Sequence, residues 1–115
     1  MNGTQPLKFD TEKVRVELLP TDALNEIAKV LTFGAKKYEA GNWATGDGFK
    51  WSRLYGALLR HVFAWARGED TDPESGISHL AHAGCMLLFL LAHTLRKQGA
   101  DDRTEIGLKL KSEAA

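Results

Sequence analysis

Three histidines lie in segments of the chain that are otherwise apolar. His79 and His82 are three residues apart, so on a helix they project from the same face. His61 lies in an earlier apolar segment, LLRHVFAWA, at residues 58–66. Helices joined by a short connector pack antiparallel, and His61 is therefore expected to face the other two histidines. Three imidazoles that converge in a helical core could hold a divalent metal ion or contact phosphate groups directly.

The connector between these two segments is acidic, with carboxylates at residues 69, 70, 72 and 74. Asp72 and Glu69 are the candidate catalytic residues, because a carboxylate beside a metal could accept a proton from water. The same carboxylates could instead bond to the imidazoles in a structural network without metal. The spacing leaves both interpretations open, since an HxxH pair is less specific than an HExxH motif. For His93, near the end of its helix, a hydrogen-bonded core role is expected.

Hydrophobic periodicity predicts three helices, and hence an all-α fold. Their expected ends are marked by capping residues and glycines: Thr21 or Asp22 at the first start, Ser52 and Gly68 for the second helix, and Ser75 or Ser78 and Gly99 for the third. On the first helix, an apolar stripe that includes Leu31 and Tyr38 is expected to be buried. The predicted architecture is a small helical bundle at residues 21–99, with an extended N-terminal arm at 1–20. A tail at 100–115 could form a short helix through Ile106, Leu108 and Leu110.

The third helix is apolar on almost every side, from Leu80 to Leu91. In so short a chain, such a helix is expected to be buried against another subunit. We therefore expect a homodimer or homotetramer, with Met86 and Phe89 in the interface.

The composition limits the class of protein. With 115 residues and 43% hydrophobic content, the chain is expected to form one domain with a small core. Its 15 basic residues balance its 15 acidic ones, so no overall field attracts a nucleic acid polymer or a membrane. Cys85 is the single cysteine, which excludes an intrachain disulfide and suits a reducing compartment. The N-terminus lacks the apolar segment of a signal peptide, and a cytoplasmic location is expected.

Basic and aromatic residues surround a glycine-rich loop at residues 40–50. Within it, Trp43 could stack on a nucleobase while the Asn42 amide reads a base edge. The tryptophan could equally cover the core, which is its commoner use, and the nearby lysines could simply match the helix dipole. We favour the ligand interpretation, and the candidate nucleotide-binding residues are Lys36, Lys37, Tyr38, Asn42, Trp43, Lys50, Arg53 and Arg60.

Three segments of the chain carry a resemblance to a known family. They are KFDTEKVRVELLP at residues 8–20, LTFGAKKYEAGNW at 31–43, and WSRLYGALLRHVFAWARGEDTDPESGISHLAHAGCMLLFLL at 51–91. Together they resemble a phage-associated all-α family of dATP/dGTP diphosphohydrolases, which is related to the MazG-like nucleotide pyrophosphatases and the phage MazZ enzymes. The resemblance implies an oligomeric helical bundle that acts on purine deoxynucleoside triphosphates with a divalent cation.

The metal-binding pattern of the MazG-like enzymes is altered in this chain. Those enzymes bind magnesium through ExxE on one helix and ExxD on another, and the matching positions here are Leu58, His61, His79 and His82. Because imidazole suits magnesium poorly, the three histidines are expected to hold manganese, zinc, iron or cobalt instead. The predicted function is hydrolysis of a purine deoxynucleoside triphosphate to the monophosphate and pyrophosphate. The alternative is a non-catalytic protein that binds and sequesters a nucleotide or nucleotide signal.

Overall fold

The computed structural model describes residues 6–7 and 12–107, which form three α-helices. They are α1 (Thr21–Tyr38), α2 (Trp51–Ala66) and α3 (His79–Arg96), with short 3-10 turns at Val16–Leu18 and Asn42–Ala44. Within these described ranges there is no β-strand, and the prediction of an all-α fold is confirmed. Helix α3 packs against both α1 and α2. Of the predicted N-terminal arm at residues 1–20, residues 1–5 and 8–11 lie outside the described residues.

The first helix spans Thr21–Tyr38 and its N-cap is Pro20, whereas the sequence predicts Thr21 or Asp22 as the N-cap. The buried face differs from the predicted stripe. Val30 is buried, whereas Leu31 and Tyr38 are exposed and border a cavity. The reason is that α3 packs against the side of α1 that carries Ile27 and Val30. The predicted apolar stripe of α1 therefore lies partly in the core and partly along the cavity wall.

The sequence predicts Ser52 as the N-cap of the second helix. In the structure, a segment that is distant in sequence caps this helix instead. The Ser52 amide donates a 3.0 Å hydrogen bond to Oδ1 of Asp102, and the Ser52 hydroxyl donates to Oδ2. The Trp51 amide donates to the carbonyl of Ala100 at 2.9 Å. Asp102 is itself buried, so the segment that follows α3 contacts the start of α2. Residues 103–107 form turns, while Leu108 and Leu110 lie outside the described residues.

The third helix starts at an N-cap and ends at a left-handed residue. Ser78, one of the two predicted caps, accepts a 3.1 Å hydrogen bond from the Leu80 amide. The backbone of Lys97 adopts φ 53°, which stops the helix one turn before the expected Gly99. At Gly84, a β-carbon would lie 2.8 Å from Cδ1 of Ile27. The glycine thus lets α1 and α3 approach closely.

The core is centred on Val30, Ala81 and Cys85. Met86 and Phe89, which we expected at a subunit interface, pack against this core within the same chain. The exposed apolar residues of α3 are instead five leucines: Leu80, Leu87, Leu88, Leu91 and Leu95. None of the helices in the described part of the chain has the length and hydropathy needed to cross a bilayer.

Candidate functional site

A cavity of about 520 Å³ opens between the C-terminal half of α1, the start of α2, the middle of α3 and the two loops beside them. One end is polar and is bordered by His61, Asp72 and His82. The other end is aromatic and is bordered by Trp43, Phe49 and other apolar residues. A cavity of this size with charged groups at one end and aromatic rings at the other can enclose a small amphiphilic ligand.

The three predicted histidines lie together at the polar end. The Nδ1 atoms of His61 and His79 are 2.9 Å apart. The rings of His61 and His82 stack with their centroids 4.6 Å apart. This convergence follows from the antiparallel packing of α2 and α3, which places the middle of one helix against the start of the other.

The acidic connector is held in shape by its own backbone. An isolated antiparallel bridge pairs Thr71 with Ser78, and the His79 amide donates to the Asp70 carbonyl at 2.9 Å. Gly76, at φ 72°, provides the left-handed conformation needed between the two sides of this turn. The turn brings Asp72 to the cavity, where its Oδ2 lies 3.9 Å from Nδ1 of His61.

The two predicted catalytic carboxylates occupy different positions. Asp72 borders the cavity, whereas Glu69 lies outside the set of residues that line it. Oε1 of Glu69 instead accepts a 2.6 Å hydrogen bond from Nε2 of His79, whose side chain is buried. A carboxylate on the outer nitrogen of a histidine fixes its tautomer and raises its basicity. Glu69 therefore leaves Nδ1 of His79 as the nitrogen that faces His61.

Three donor atoms converge closely enough to hold one metal ion. One ligand atom from each of His61, Asp72 and His79 lies within 4.8 Å of the other two. Among the described residues His82 is not part of this set, and its Nε2 lies 2.7 Å from the hydroxyl of Ser75. The mixed nitrogen and oxygen donors fit manganese, zinc, iron or cobalt better than magnesium.

The local environment keeps these groups in the states that a metal site requires. Burial lowers the pKa of His61, and the nearby His82 and His79 lower it further. Burial also lowers the pKa of His82. Burial by itself raises the pKa of Asp72, but the Glu74 amide and the charge on His82 outweigh this effect and leave that pKa below its usual value. At neutral pH, His61 is neutral and Asp72 is ionised.

The predicted phosphate-binding residues fall into two groups. Lys37, Arg53 and Arg60 border the cavity. Lys36 and Lys50 are exposed and are absent from the lining residues in the described ranges. The Lys37 ammonium is paired with Glu74 at 3.0 Å across the rim, so binding a phosphate there requires an exchange of partners.

The predicted base-binding residues all border the cavity. The Trp43 indole, however, already packs against other side chains. Its indole stacks on Phe89 with centroids 4.5 Å apart and planes 8° apart. The Arg96 guanidinium lies 5.2 Å from the indole centroid. Trp43 is thus part of the packed cavity wall, while Asn42 and Tyr38 are more exposed at its edge.

The sequence patterns did not predict two residues that contribute to the site. Ser75 was considered only as a helix cap, yet it holds the outer nitrogen of His82. Phe89 was assigned to a subunit interface, yet it supports Trp43. The available signal for Ser75 was its position seven residues before His82, which a tight turn brings into contact. No comparable local pattern pairs Phe89 with residue 43.

The chain is similar in sequence to known proteins. The family model described as dATP/dGTP diphosphohydrolase, N-terminal, matches residues 4–103. A protein of Salmonella phage PMBT28 named dATP/dGTP diphosphohydrolase is 36% identical over 97 residues. The match covers 84% of this chain but 32% of that protein, so the chain spans about a third of its relative's length. No solved structure matches significantly. The match over residues 4–103 shows that the chain belongs to the dATP/dGTP diphosphohydrolase N-terminal family.

Proposed function

We propose that this chain hydrolyses a purine deoxynucleoside triphosphate, dATP or dGTP, to the monophosphate and pyrophosphate with a divalent metal ion. The observation that carries the proposal is the cavity itself. It joins a histidine–carboxylate cluster at one end to an aromatic wall at the other, with Lys37, Arg53 and Arg60 along it. The name of the phage relative, dATP/dGTP diphosphohydrolase, supports the choice of substrate.

His61, His79 and Asp72 are the residues that would hold the metal. A metal ion there would polarise a phosphate oxygen and lower the pKa of water. Of the two predicted general bases, Asp72 is the one at the cavity, and its ionised state at neutral pH suits it to accept a proton. Glu69 orients His79 from the opposite side. His82 stacks on His61 and limits the rotation of its ring.

The remaining cavity residues divide between the phosphates and the base. Arg60 and Arg53 would neutralise phosphate charge, because guanidinium groups bind phosphate oxygens in a bidentate fashion. Lys37 would join them after release from Glu74. Asn42 and Tyr38 are exposed at the cavity edge, where their polar groups can bond to the edge of a base. The indole of Trp43 forms the wall beside them.

The direct test is pyrophosphate release from dATP and dGTP, with manganese, with magnesium and with EDTA. We expect release with manganese, less with magnesium and none in EDTA, and Asp72→Asn should abolish it. Glu105→Gln removes an exposed carboxylate away from the cavity and is the matched control. Tight nucleotide binding without release would favour the sequestering alternative. Neither binding nor release would refute both proposals.

A homo-oligomeric assembly is the second part of the proposal. The exposed side of α3 carries Leu80, Leu87, Leu88, Leu91 and Leu95, and the chain has no acidic residue, lysine or arginine between residues 79 and 95. Two copies of such a face can approach without charge repulsion. The exposed parts of five leucines can bury roughly 1,000 Å² in a symmetric pair, near the lower limit for a specific interface.

A further inference from the structure

We propose that His93, which is not itself a cavity residue, is the positioning residue for the base-binding end of the cavity. It fastens the loop at residues 42–49 to α3, and that loop carries Asn42, Trp43 and Phe49. The inference rests on the proposed function, because it concerns where the purine would bind.

The state of the His93 ring is fixed by its two hydrogen bonds. The side chain is completely buried. Its Nδ1 lies 2.8 Å from the carbonyl of Phe89, and a carbonyl can only accept, so Nδ1 carries the proton. Nε2 is then the unprotonated nitrogen, and it accepts a 3.1 Å hydrogen bond from the Phe49 amide. One neutral tautomer therefore joins the backbone of α3 to the backbone of the loop.

Two glycines allow the loop to approach the ring of His93 closely. Gly48 has φ +78°, and a β-carbon on it would lie 2.8 Å from Nε2 of His93. Gly99, on the other side, has φ +75°, and a β-carbon there would lie 2.9 Å from Cδ2 of the same ring. Both glycines leave space for the imidazole. The Gly99 amide also donates to the Asp47 carbonyl at 2.7 Å, which closes the loop against the end of α3.

The aromatic side chains that line the cavity lie next to His93. The ring centroids of Trp43 and Phe49 are 6.1 Å and 6.3 Å from that of His93. The Phe89 carbonyl binds His93 while the Phe89 ring stacks on Trp43. Phe49 in turn lies 5.4 Å from the guanidinium of Arg53. Loss of the acceptor at Nε2 would leave the Phe49 amide unpaired inside the fold and release both aromatic rings.

The test compares His93→Leu, which has no acceptor, with His93→Gln, whose side-chain carbonyl can accept from the Phe49 amide. For manganese-dependent hydrolysis of dGTP, we expect His93→Leu to raise KM by about tenfold, the cost of one unpaired buried amide, with kcat within about twofold. His93→Gln should restore most of the KM. In the nucleotide-free protein, hydrogen exchange at the Phe49 amide should speed up in the leucine variant and recover in the glutamine variant.

If His93→Leu does not fold, two glycine variants test the same role of His93. Gly48→Ala places a methyl group 2.8 Å from Nε2 of His93 and 2.7 Å from Cγ of Gln98, whereas Gly46→Ala places one in open space at a φ of +58°. We expect the rise in KM only for Gly48→Ala. An unchanged KM alongside faster exchange at Phe49, or a loss confined to kcat, would overturn the role of His93. A wild-type chain that neither binds nor hydrolyses dGTP or dATP would overturn the proposed function first, before any variant is compared.

Discussion

The Nδ1 atoms of His61 and His79 lie 2.9 Å apart, with Glu69 on the far nitrogen of His79. Two imidazole lone pairs at this distance repel each other, so either a proton or a cation lies between them. Because Glu69 accepts from Nε2 of His79, the neutral His79 ring has its lone pair on Nδ1. The 2.9 Å contact is therefore a hydrogen bond between the two rings, and the same two nitrogens would be ligands of the proposed metal ion.

The set of metal ligands can be tested by separating His82 from the other histidines. We expect His61→Ala, His79→Ala and Asp72→Asn each to weaken manganese binding by more than about 100-fold, since changes in outer-shell partners alone cost up to that much. His82→Ala should retain stoichiometric binding, because the outer nitrogen of that ring contacts Ser75. Isothermal titration calorimetry with Mn²⁺ measures this directly. Loss of binding in His82→Ala would restore the three-histidine site expected from sequence.

Glu69 should act on the metal only through His79. We expect Glu69→Gln to lower manganese affinity by about 10- to 100-fold and to leave kcat near normal once the metal is saturating. The amide can still accept a hydrogen bond, but it does not carry the charge that raises the basicity of the ring. Activity measured across a manganese titration separates the two effects. A kcat that stays low at saturating metal would show that Glu69 takes part in the chemistry itself.

Acid should destabilise the chain through two partly buried histidines, His61 and His82. The pKa values of His61 and His82 are lowered from 6.5 by burial, so the folded state prefers both rings unprotonated. Below about pH 6.5 the unfolded chain binds more protons, and the free energy of unfolding falls as pH is lowered until the folded-state pKa values are reached. Urea unfolding midpoints, in EDTA at a series of pH values from about 7.5 to about 5, test this sign. His82→Gln should flatten the slope, and a midpoint that rises in acid would contradict the argument.

The exposed leucines of α3 should control assembly. Leu87→Lys combined with Leu91→Lys places four like charges in a symmetric interface and should yield monomers. Val16→Lys with Leu18→Lys alters two exposed apolar residues far from α3 in sequence and is the matched control. Sedimentation velocity at micromolar concentration gives the subunit count. A wild-type chain that sediments as a stable monomer would rule out the proposed interface.

The segment after α3 should prove part of the domain. A chain ending at residue 99 loses the Ala100 and Asp102 acceptors that receive the amides of Trp51 and Ser52, whereas one ending at residue 107 keeps both. We expect the shorter chain to unfold at least about 4–8 °C lower, the shift that follows from losing one helix cap in a domain of this size. Differential scanning calorimetry of both truncations checks this. Equal Tm values would mean that residues 100–107 contribute no stability.

The sequence by itself determined the helices and the meeting of the histidines. The apolar period and the prolines and glycines at the ends are local signals, and they placed α1, α2 and α3 to within a few residues. The short connector forces α2 and α3 to run antiparallel, which brings His61 opposite His79 and His82. The fully buried, hydrogen-bonded His93 was also predictable, because a polar ring near the end of an apolar helix needs nearby partners.

Which side chains contact each other was decided only by the tertiary structure. The rotation of α1 against α3 put Val30 rather than Leu31 in the core, and the turn in the connector took Asp72 to the cavity and Glu69 behind His79. Lys36 and Lys37 are neighbours in sequence, yet only Lys37 borders the cavity. Asp102 caps α2 from fifty residues away. Each of these choices depends on side chains that are distant in sequence and meet only after the helices pack, so no local pattern encodes them.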